Sequence, residues 1–407
     1  MVKEISNQPV LNIGLVGHID HGKTTLLYKL TGVWADKHSE ELKRGITIKL
    51  GYADAVINKC SKCNVYTIEK KCPCCEGKVE PAKYVSFVDA PGHEMLMATM
   101  LGGAAVIDAA ILLVAANEPF PQPQTKEHLL ALETKGVKQV IVVQNKIDLI
   151  SKEDALKQYV QIKEFLKGTI AENSPIIPVS AQQGINIDKI FEEIDKLRIP
   201  ERDEKSNPIF LIARSFDINL PGISVDKLKG GIIGGTLKKG KLKVGDIIEI
   251  KPGQSSKVHD KTVYKTIKTK IISLRAGNND LKEAIPSGSL AIQTSLDPFL
   301  TKADGVAGCI AGKENTLPDP IYRIKIKTQL FKEIVGTKEQ LKIDPLKKGE
   351  FLMLSVNTAI TIGTVVSAIK DVELNLKIPI VPCKNERIGI ARNYQGHWRL
   401  IGWGELI

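Results

Sequence analysis

With 407 residues, 43% hydrophobic and 25% charged, the chain has the balance of an ordinary soluble globular protein but exceeds the usual size of one core, so two or three domains are expected. The polar first nine residues do not resemble a signal peptide, and none is expected. The most apolar run, 104–116, is broken by Asp108 and too short for a bilayer, so a cytoplasmic protein without membrane contact is expected. A net charge of +11 asks for a polyanionic partner, either nucleic acid or an acidic protein.

The first expected strand, 11–16, runs into Gly17-His18-Ile19-Asp20-His21-Gly22-Lys23-Thr24, and a helix follows to Leu30. This is the G-x-x-x-x-G-K-[ST] phosphate loop in its proper strand-to-helix context. Its backbone N–H groups converge on phosphates at the positive end of the helix, and its glycines remove Cβ atoms that would hold the backbone away. Lys23 is the cation for the outer phosphates, and the Thr24 hydroxyl suits magnesium. Asp20, His21, Gly22 and Thr25 complete the expected nucleotide contacts. Beyond the helix, the polar segment 34–50 contains Lys43-Arg44-Gly45-Ile46-Thr47-Ile48, in which Thr47 is placed to close over a γ-phosphate and complete the magnesium shell.

Five of the seven cysteines then cluster, in Cys60-Ser61-Lys62-Cys63 and Cys72-Pro73-Cys74-Cys75. Two C-x-x-C pairs supply four thiolates to one structural, tetrahedral zinc: Cys60, Cys63, Cys72 and Cys75. Cys74 is surplus by spacing, which leaves open which thiol of the second pair ligates. Cys309 and Cys383 are isolated and expected to be buried.

The strand 84–88 delivers Asp89-Ala90-Pro91-Gly92-His93. Asp89 can hold magnesium through water, the Gly92 N–H can donate to a γ-phosphate, and His93 can orient an attacking water as the catalytic residue. The run 108–116 reads as a parallel strand buried on both faces, followed by a helix at 125–135 and a strand at 139–144. That strand ends in Asn145-Lys146-Ile147-Asp148. The Asp148 carboxylate accepts two donors, a pair that guanine presents and adenine does not, while Asn145 braces the loop. A last strand, 176–179, leads to Ser180-Ala181-Gln182, whose backbone can meet the guanine oxygen. In this chain order the motifs specify GTP and GDP.

A polar linker, 201–207, introduces short strands such as 209–215, 230–236 and 245–250, broken by Gly, Pro and Asn in the manner of β-barrels. Between Val225 and Lys270 twelve lysines stand against four acids, either a solvated face or an RNA-backbone surface. Pro318-Asp319-Pro320 marks a second break, and Trp398 and Trp403 near the end suit a core better than base stacking.

The Gly17–Thr24 loop and Arg44-Gly45-Ile46-Thr47-Ile48, ahead of two barrels, resemble elongation factor Tu and its relatives. More closely, the chain is similar to the γ-subunit family of archaeal and eukaryotic translation initiation factor two. The marks are the knuckle after Gly51-Tyr52-Ala53-Asp54, Asp89–His93 leading into 95–101, Pro121–His128, Arg214–Asn219, Ala391-Arg392-Asn393 and Trp398–Gly404. The resemblance implies an α/β P-loop GTPase domain (1–206, with a zinc knuckle at about 56–81) followed by two β-barrels (207–319 and 320–407). It implies the large subunit of a heterotrimer with α and β subunits, carrying methionyl initiator tRNA to the small ribosomal subunit under control of GTP hydrolysis. It also implies magnesium contacts at Asp20, Thr24, Gly45 and Thr47, and places Tyr52 near the aminoacyl end of the tRNA. The alternatives are a selenocysteine-specific elongation factor, which usually carries a further C-terminal domain, and the GTPase regulatory subunit of a sulfur-assimilating enzyme.

Overall fold

The computed structural model describes residues 6–34, 49–91, 93, 97–220, 222–259, 261–334, 341–383 and 386–407. The chain divides into two compact units, Met1–Pro200 with Lys332–Lys342 and His397–Leu400, and Glu201–Phe331 with Ile343–Gly396 and Ile401–Ile407.

The first unit is built on strands β1 (Leu11–Gly17), β2 (Gly51–Lys59), β3 (Tyr66–Thr67), β4 (Glu80–Asp89), β5 (Ala109–Ala115), β6 (Gln139–Asn145) and β7 (Ile176–Pro178). They form one sheet in the order β3-β2-β4-β1-β5-β6-β7. β1 pairs in parallel with β4 and β5, and the parallel set continues through β6 to β7. β2 and β3 add an antiparallel edge. Every residue of β1 and β5 is buried, which is why both read as unbroken apolar runs. Because β4 and β5 lie on opposite sides of β1, connections leave in both directions. A crevice therefore opens at the carboxyl end of β1, where the loops gather.

The described α-helices of this unit are α1 (Lys23–Thr31), α2 (Met97–Ala104), α3 (Pro123–Thr134), α4 (Lys152–Leu166) and α5 (Ile187–Lys196). α1 stops at Gly32, whose left-handed backbone returns its N–H to the Tyr28 carbonyl. α3 begins at Pro123, two residues before the expected Thr125, because a proline in the first turn has no N–H to leave unpaired. α5 buries Ile187, Ile190, Phe191 and Ile194, one face at helical spacing, against the core that also holds Leu15, Phe87 and Val143.

Two barrels follow, and the second unit supplies their strands apart from the first four residues of the last one. The first contains β8 (Ile209–Phe216), β9 (Ile232–Lys239), β10 (Leu242–Lys243), β11 (Ile247–Val258), β12 (Lys261–Ala276), β13 (Asn279–Leu281), β14 (Glu283–Ala284), β15 (Ser289–Thr294) and β16 (Ile310–Lys313). The order β11-β16-β8-β9-β15-β12 closes through the β11–β12 pairing. β9 starts at Ile232 rather than at Gly230. A Cβ on Gly230 or Gly231 would collide with Thr294 or Thr301, so these glycines serve a close approach before the strand. The lysine-rich stretch is partly neutralised from outside itself: Lys241 pairs with Glu204 and Glu283, Lys243 with Glu283, and Lys268 with Glu314.

The second barrel closes as β17-β22-β21-β20-β23-β24, with β17 at Ile321–Leu330, β20 at Phe351–Val356, β21 at Ala359–Ala368, β22 at Val372–Ile380, β23 at Arg387–Tyr394 and β24 at His397–Leu406. A short hairpin of β18 (Glu333–Ile334) and β19 (Leu341–Lys342), counted with the first unit, interrupts the series in the chain. Trp398 and Trp403 are half-buried rather than core, and the Arg387 guanidinium stacks 4.2 Å from the Trp403 ring. Cys309 is buried as expected, whereas Cys383, just past β22, is only partly so.

Candidate functional site

At the carboxyl end of β1 the chain turns through the phosphate loop and enters α1. Gly22 adopts φ 90° and could not carry a Cβ, because the Asn145 side-chain amide occupies that space. The Lys23 ammonium is buried and donates to the Gly17 carbonyl at 3.0 Å and the His18 carbonyl at 2.6 Å, so its charge is held at the base of the loop. Thr24 Oγ1 donates to Asp89 Oδ2 at 2.8 Å. The loop threonine and the acid at the end of β4, both expected at magnesium, are thereby brought together. The donor set, a hydroxyl and a fully buried carboxylate, suits a hard cation. Asp20 is exposed at φ 58°, and Thr25 is half-buried on α1.

Three loops far apart in sequence meet through Asn145. Its Nδ2 donates to the His21 carbonyl at 2.9 Å, and its Oδ1 accepts from the Ala181 N–H at 3.0 Å. One amide therefore ties the phosphate loop to the 145–148 and 180–182 loops. Lys146 follows in a left-handed conformation, and Asp148 stands exposed in the 3₁₀ turn Ile147–Leu149. Ser180 is buried and its Oγ accepts from the Gln183 N–H, while Gln182 is exposed. Tyr52, on β2 opposite Val88, is half-buried, as is His93. Gly45, Thr47 and Gly92 lie outside the described residues.

Histidines line the underside of the loop. His21 is buried, donates from Nδ1 to the Leu113 carbonyl at 2.9 Å, and places Nε2 3.3 Å from Glu118. Burial pushes its pKa down to about 4, against the opposing pull of the Leu113 carbonyl and Glu118. His128 on α3 accepts the Gly17 N–H at Nδ1, 2.9 Å away, and burial, with Lys23 next in weight, lowers its pKa to about 3. Both rings are neutral near pH 7. Burial also lowers the pKa of His18.

The motif reading misses this supporting layer. His128, Glu118, Gln144 and Gln158 do not belong to any nucleotide motif. One signal is available for Gln158: it shares an i, i+4, i+8 stripe with Ile162 and Leu166, where an apolar residue is the norm.

The cysteine insertion is a separate, local construction at the β2–β3 edge. The Sγ atoms of Cys60, Cys63, Cys72 and Cys75 all lie within 4.8 Å of one another, with Cys60 to Cys75 at 3.7 Å. A tetrahedral zinc with Zn–S bonds of about 2.3 Å requires sulfur–sulfur edges of about 3.8 Å, so the four thiols fit that ion. Cys74 lies outside this group, so the geometry favours Cys75 as the fourth thiol. The two halves repeat one turn. Cys60 N bonds Val65 O and Asn64 N bonds Cys60 O; likewise Cys72 N bonds Gly77 O and Glu76 N bonds Cys72 O. Asn64 and Glu76 both take positive φ. Tyr66 anchors the knuckle, its hydroxyl donating to Asp195 at the end of α5 at 2.9 Å. Lys83 caps the same helix end by donating to the carbonyls of Ile194 and Leu197.

Residues 8–200 match the model of the elongation factor Tu GTP binding domain, and residues 322–406 match that of initiation factor eIF2 gamma, C terminal. Among solved structures, bacterial selenocysteine-specific elongation factor EF-Sec superposes with a TM-score of 0.75 at 22% identity, over 98% of this chain and 58% of that one. Translation elongation factor SelB from Methanococcus maripaludis, in complex with the GTP analogue GppNHp, gives 0.71 at 23% identity, over 98% and 79%. At such identities the likeness concerns the fold alone. Fold, loops and matched domain together define a translational GTPase.

Translation initiation factor 2 subunit gamma from Methanococcus vannielii is 53% identical over 407 residues, 99% of each chain. That from Methanocaldococcus jannaschii is 52% identical over 406 residues, again 99% of each. That from Pyrococcus furiosus is 50% identical over 404 residues, 99% of this chain and 98% of its own. The chain belongs to the translation initiation factor 2 subunit gamma family. It is a GTP-binding subunit of a translation initiation factor.

Proposed function

We propose that this subunit, with GTP bound, carries methionyl initiator tRNA to the small ribosomal subunit in the cytoplasm and releases it after hydrolysis. It works as the large member of a heterotrimer with α and β subunits. The observation that carries the reading is identity of 50–53% along essentially the whole length of proteins named as this γ subunit, barrels included. The domain limits we assign are 1–206, 207–319 and 320–407, with the knuckle at about 56–81.

In this reading the phosphates lie over the backbone N–H groups of 20–25, with Lys23 moving from the loop carbonyls to the outer phosphates. Asp148 selects guanine, Asn145 and Lys146 hold the base loop, and Ser180, Ala181 and Gln182 face the guanine oxygen. Thr24, Asp20, Gly45 and Thr47 hold magnesium, with Asp89 reaching it through water. The ion supplies charge neutralisation between the outer phosphates. His93 orients the attacking water. Thr47 and Gly92 contact the γ-phosphate, so its loss frees both loops. Zinc at Cys60, Cys63, Cys72 and Cys75 is structural, because four thiolates leave no open position for chemistry. Tyr52 sits where the aminoacyl end of the tRNA is held.

The test is filter binding of methionyl initiator tRNA by the subunit together with its α partner. Binding with GppNHp that is lost with GDP is expected. Equal retention in both nucleotide states, or none in either, overturns the carrier reading while leaving GTP binding intact.

A further inference from the structure

Gln158 lies on α4, 13 residues past Asn145 in the chain, and is 6% exposed. Its Nε2 donates toward three backbone carbonyls at the end of β5: Ala115 at 3.0 Å, Ala116 at 3.3 Å and Glu118 at 3.2 Å. Its Oε1 accepts from Gln144 Nε2 at 2.9 Å, and Gln144 also donates to the Ala155 carbonyl. Gln144 immediately precedes Asn145, and the Ala116 N–H returns to the Asn145 carbonyl at 2.7 Å. A glutamine in an apolar stripe costs stability unless its amide is satisfied. Here each amide atom is used, and each is used on a segment that leads into the nucleotide loops.

The segment so held ends in Glu118. Its backbone carbonyl meets Gln158, and its carboxylate pairs with Lys146 Nζ in the base loop at 3.7 Å; it also lies 3.3 Å from His21 Nε2, which carries no proton in a neutral ring that donates from Nδ1 and so makes no bond to it. The turn carrying Glu118 crosses from β5 toward α3; Gln158 holds its backbone to α4, and two residues on, the Phe120 ring packs edge-on against Phe165 of the same helix at 5.1 Å. We propose that Gln158 is a positioning residue for guanine nucleotide. It fixes the 115–118 turn so that the Glu118 carboxylate holds Lys146 of the base loop in register, and it thereby slows nucleotide release. The inference rests on the nucleotide site described above, which GDP binding by the unaltered protein tests on its own.

Removing the amide while keeping the bulk, as in Gln158→Leu, takes the donor from three carbonyls, leaves Gln144 with the Ala155 carbonyl alone and lets the turn drift. Gln158→Glu keeps the volume and the acceptor for Gln144 but turns a carboxylate toward the carbonyls, so it gives the same answer if the leucine variant does not fold. Glu118→Ala removes the carboxylate that Gln158 is argued to position.

The experiment is stopped-flow release of fluorescent GDP from the full chain for each single variant and the Gln158→Leu/Glu118→Ala pair, with thermal unfolding alongside. The expected results are release faster by about tenfold in Gln158→Leu and the same direction in Glu118→Ala. In the pair, release should be no faster than in the more affected single variant, because both changes cut one link. A purely structural role would lower the melting temperature and leave release alone, or give effects on release that multiply. Release within about twofold of the unaltered protein, or multiplication in the pair, overturns the proposal.

Discussion

The cysteine knuckle and the nucleotide loops are both made of tight turns, but they are held together in opposite ways. The backbone bonds that form the knuckle's two turns join residues between Cys60 and Gly77, and its sulfurs close on one point, while its anchor, Tyr66 to Asp195, reaches far along the chain. The nucleotide loops are fixed by bonds that span 65 residues (Thr24 to Asp89), 111 (Gly17 to His128) and 124 (His21 to Asn145). The knuckle is thus a local structure, and in the proposed reading its order depends on a metal. The nucleotide site depends on the whole sheet being assembled. Each ought to survive the loss of the other.

The largest break in that symmetry is expected from Lys23→Ala. Loss of a charge-assisted contact worth about 3 kcal/mol lowers GDP and GTP affinity by at least about 100-fold by calorimetry. Zinc content should not move. In the other direction, Cys60→Ser or Cys72→Ser should abolish stoichiometric zinc in elemental analysis, while GDP affinity stays within about threefold. Cys74→Ser should keep the full zinc content.

Asn145→Ala should sharpen the contrast at intermediate scale. It removes the partners of the Ala181 N–H and His21 carbonyl, at a cost of about 1–3 kcal/mol each, and should lower both GDP affinity and the melting temperature.

The pH dependence of unfolding separates the regions again. Burial holds His21 at about 4 and His128 at about 3, both below the ordinary 6.5. Below pH 6.5 the unfolded chain therefore binds more protons than the native one. The contribution is complete above that pH and is lost as pH falls toward the native values, by about 1.4 kcal/mol per pH unit per histidine. Asp54, raised by burial to about 6 from 3.8, opposes this between those two values, since its native form keeps a proton longer. Two histidines outweigh one carboxyl, so denaturant midpoints should fall on acidification from pH 6.5. The smallest effect is expected from Tyr66→Phe, which removes the bond to Asp195 and should cost about 1 kcal/mol with no change in GDP affinity.

The same contrast explains what the sequence makes legible. C-x-x-C spacing encodes the knuckle because its geometry is local, and only the choice between Cys74 and Cys75 needs coordinates. The fold is legible because buried parallel strands such as β5 are continuously apolar and the barrel strands are short and Gly-punctuated. The phosphate loop and Asn145–Asp148 stand out as patterns, and the Thr24–Asp89 contact follows from where β1 and β4 end. The supporting layer is not legible in that way. His128 and Gln158 take part through tertiary contacts with backbone atoms and Glu118 through its place beside Lys146, none of which a nucleotide motif marks; only Gln158 leaves a trace, as a polar residue in an apolar stripe. The half-buried Trp398 and Trp403 and the partly exposed Cys383 depart from their expected burial because residue type constrains burial only statistically.

The central claim is that this GTPase protects initiator tRNA in one nucleotide state. The most direct measurement is the hydrolysis rate of the ester bond in methionyl initiator tRNA, with methionyl elongator tRNA as control and the α subunit present. The account predicts slowed hydrolysis of the initiator alone, with GppNHp and not with GDP. Equal protection of both tRNAs, or protection of neither, would contradict it.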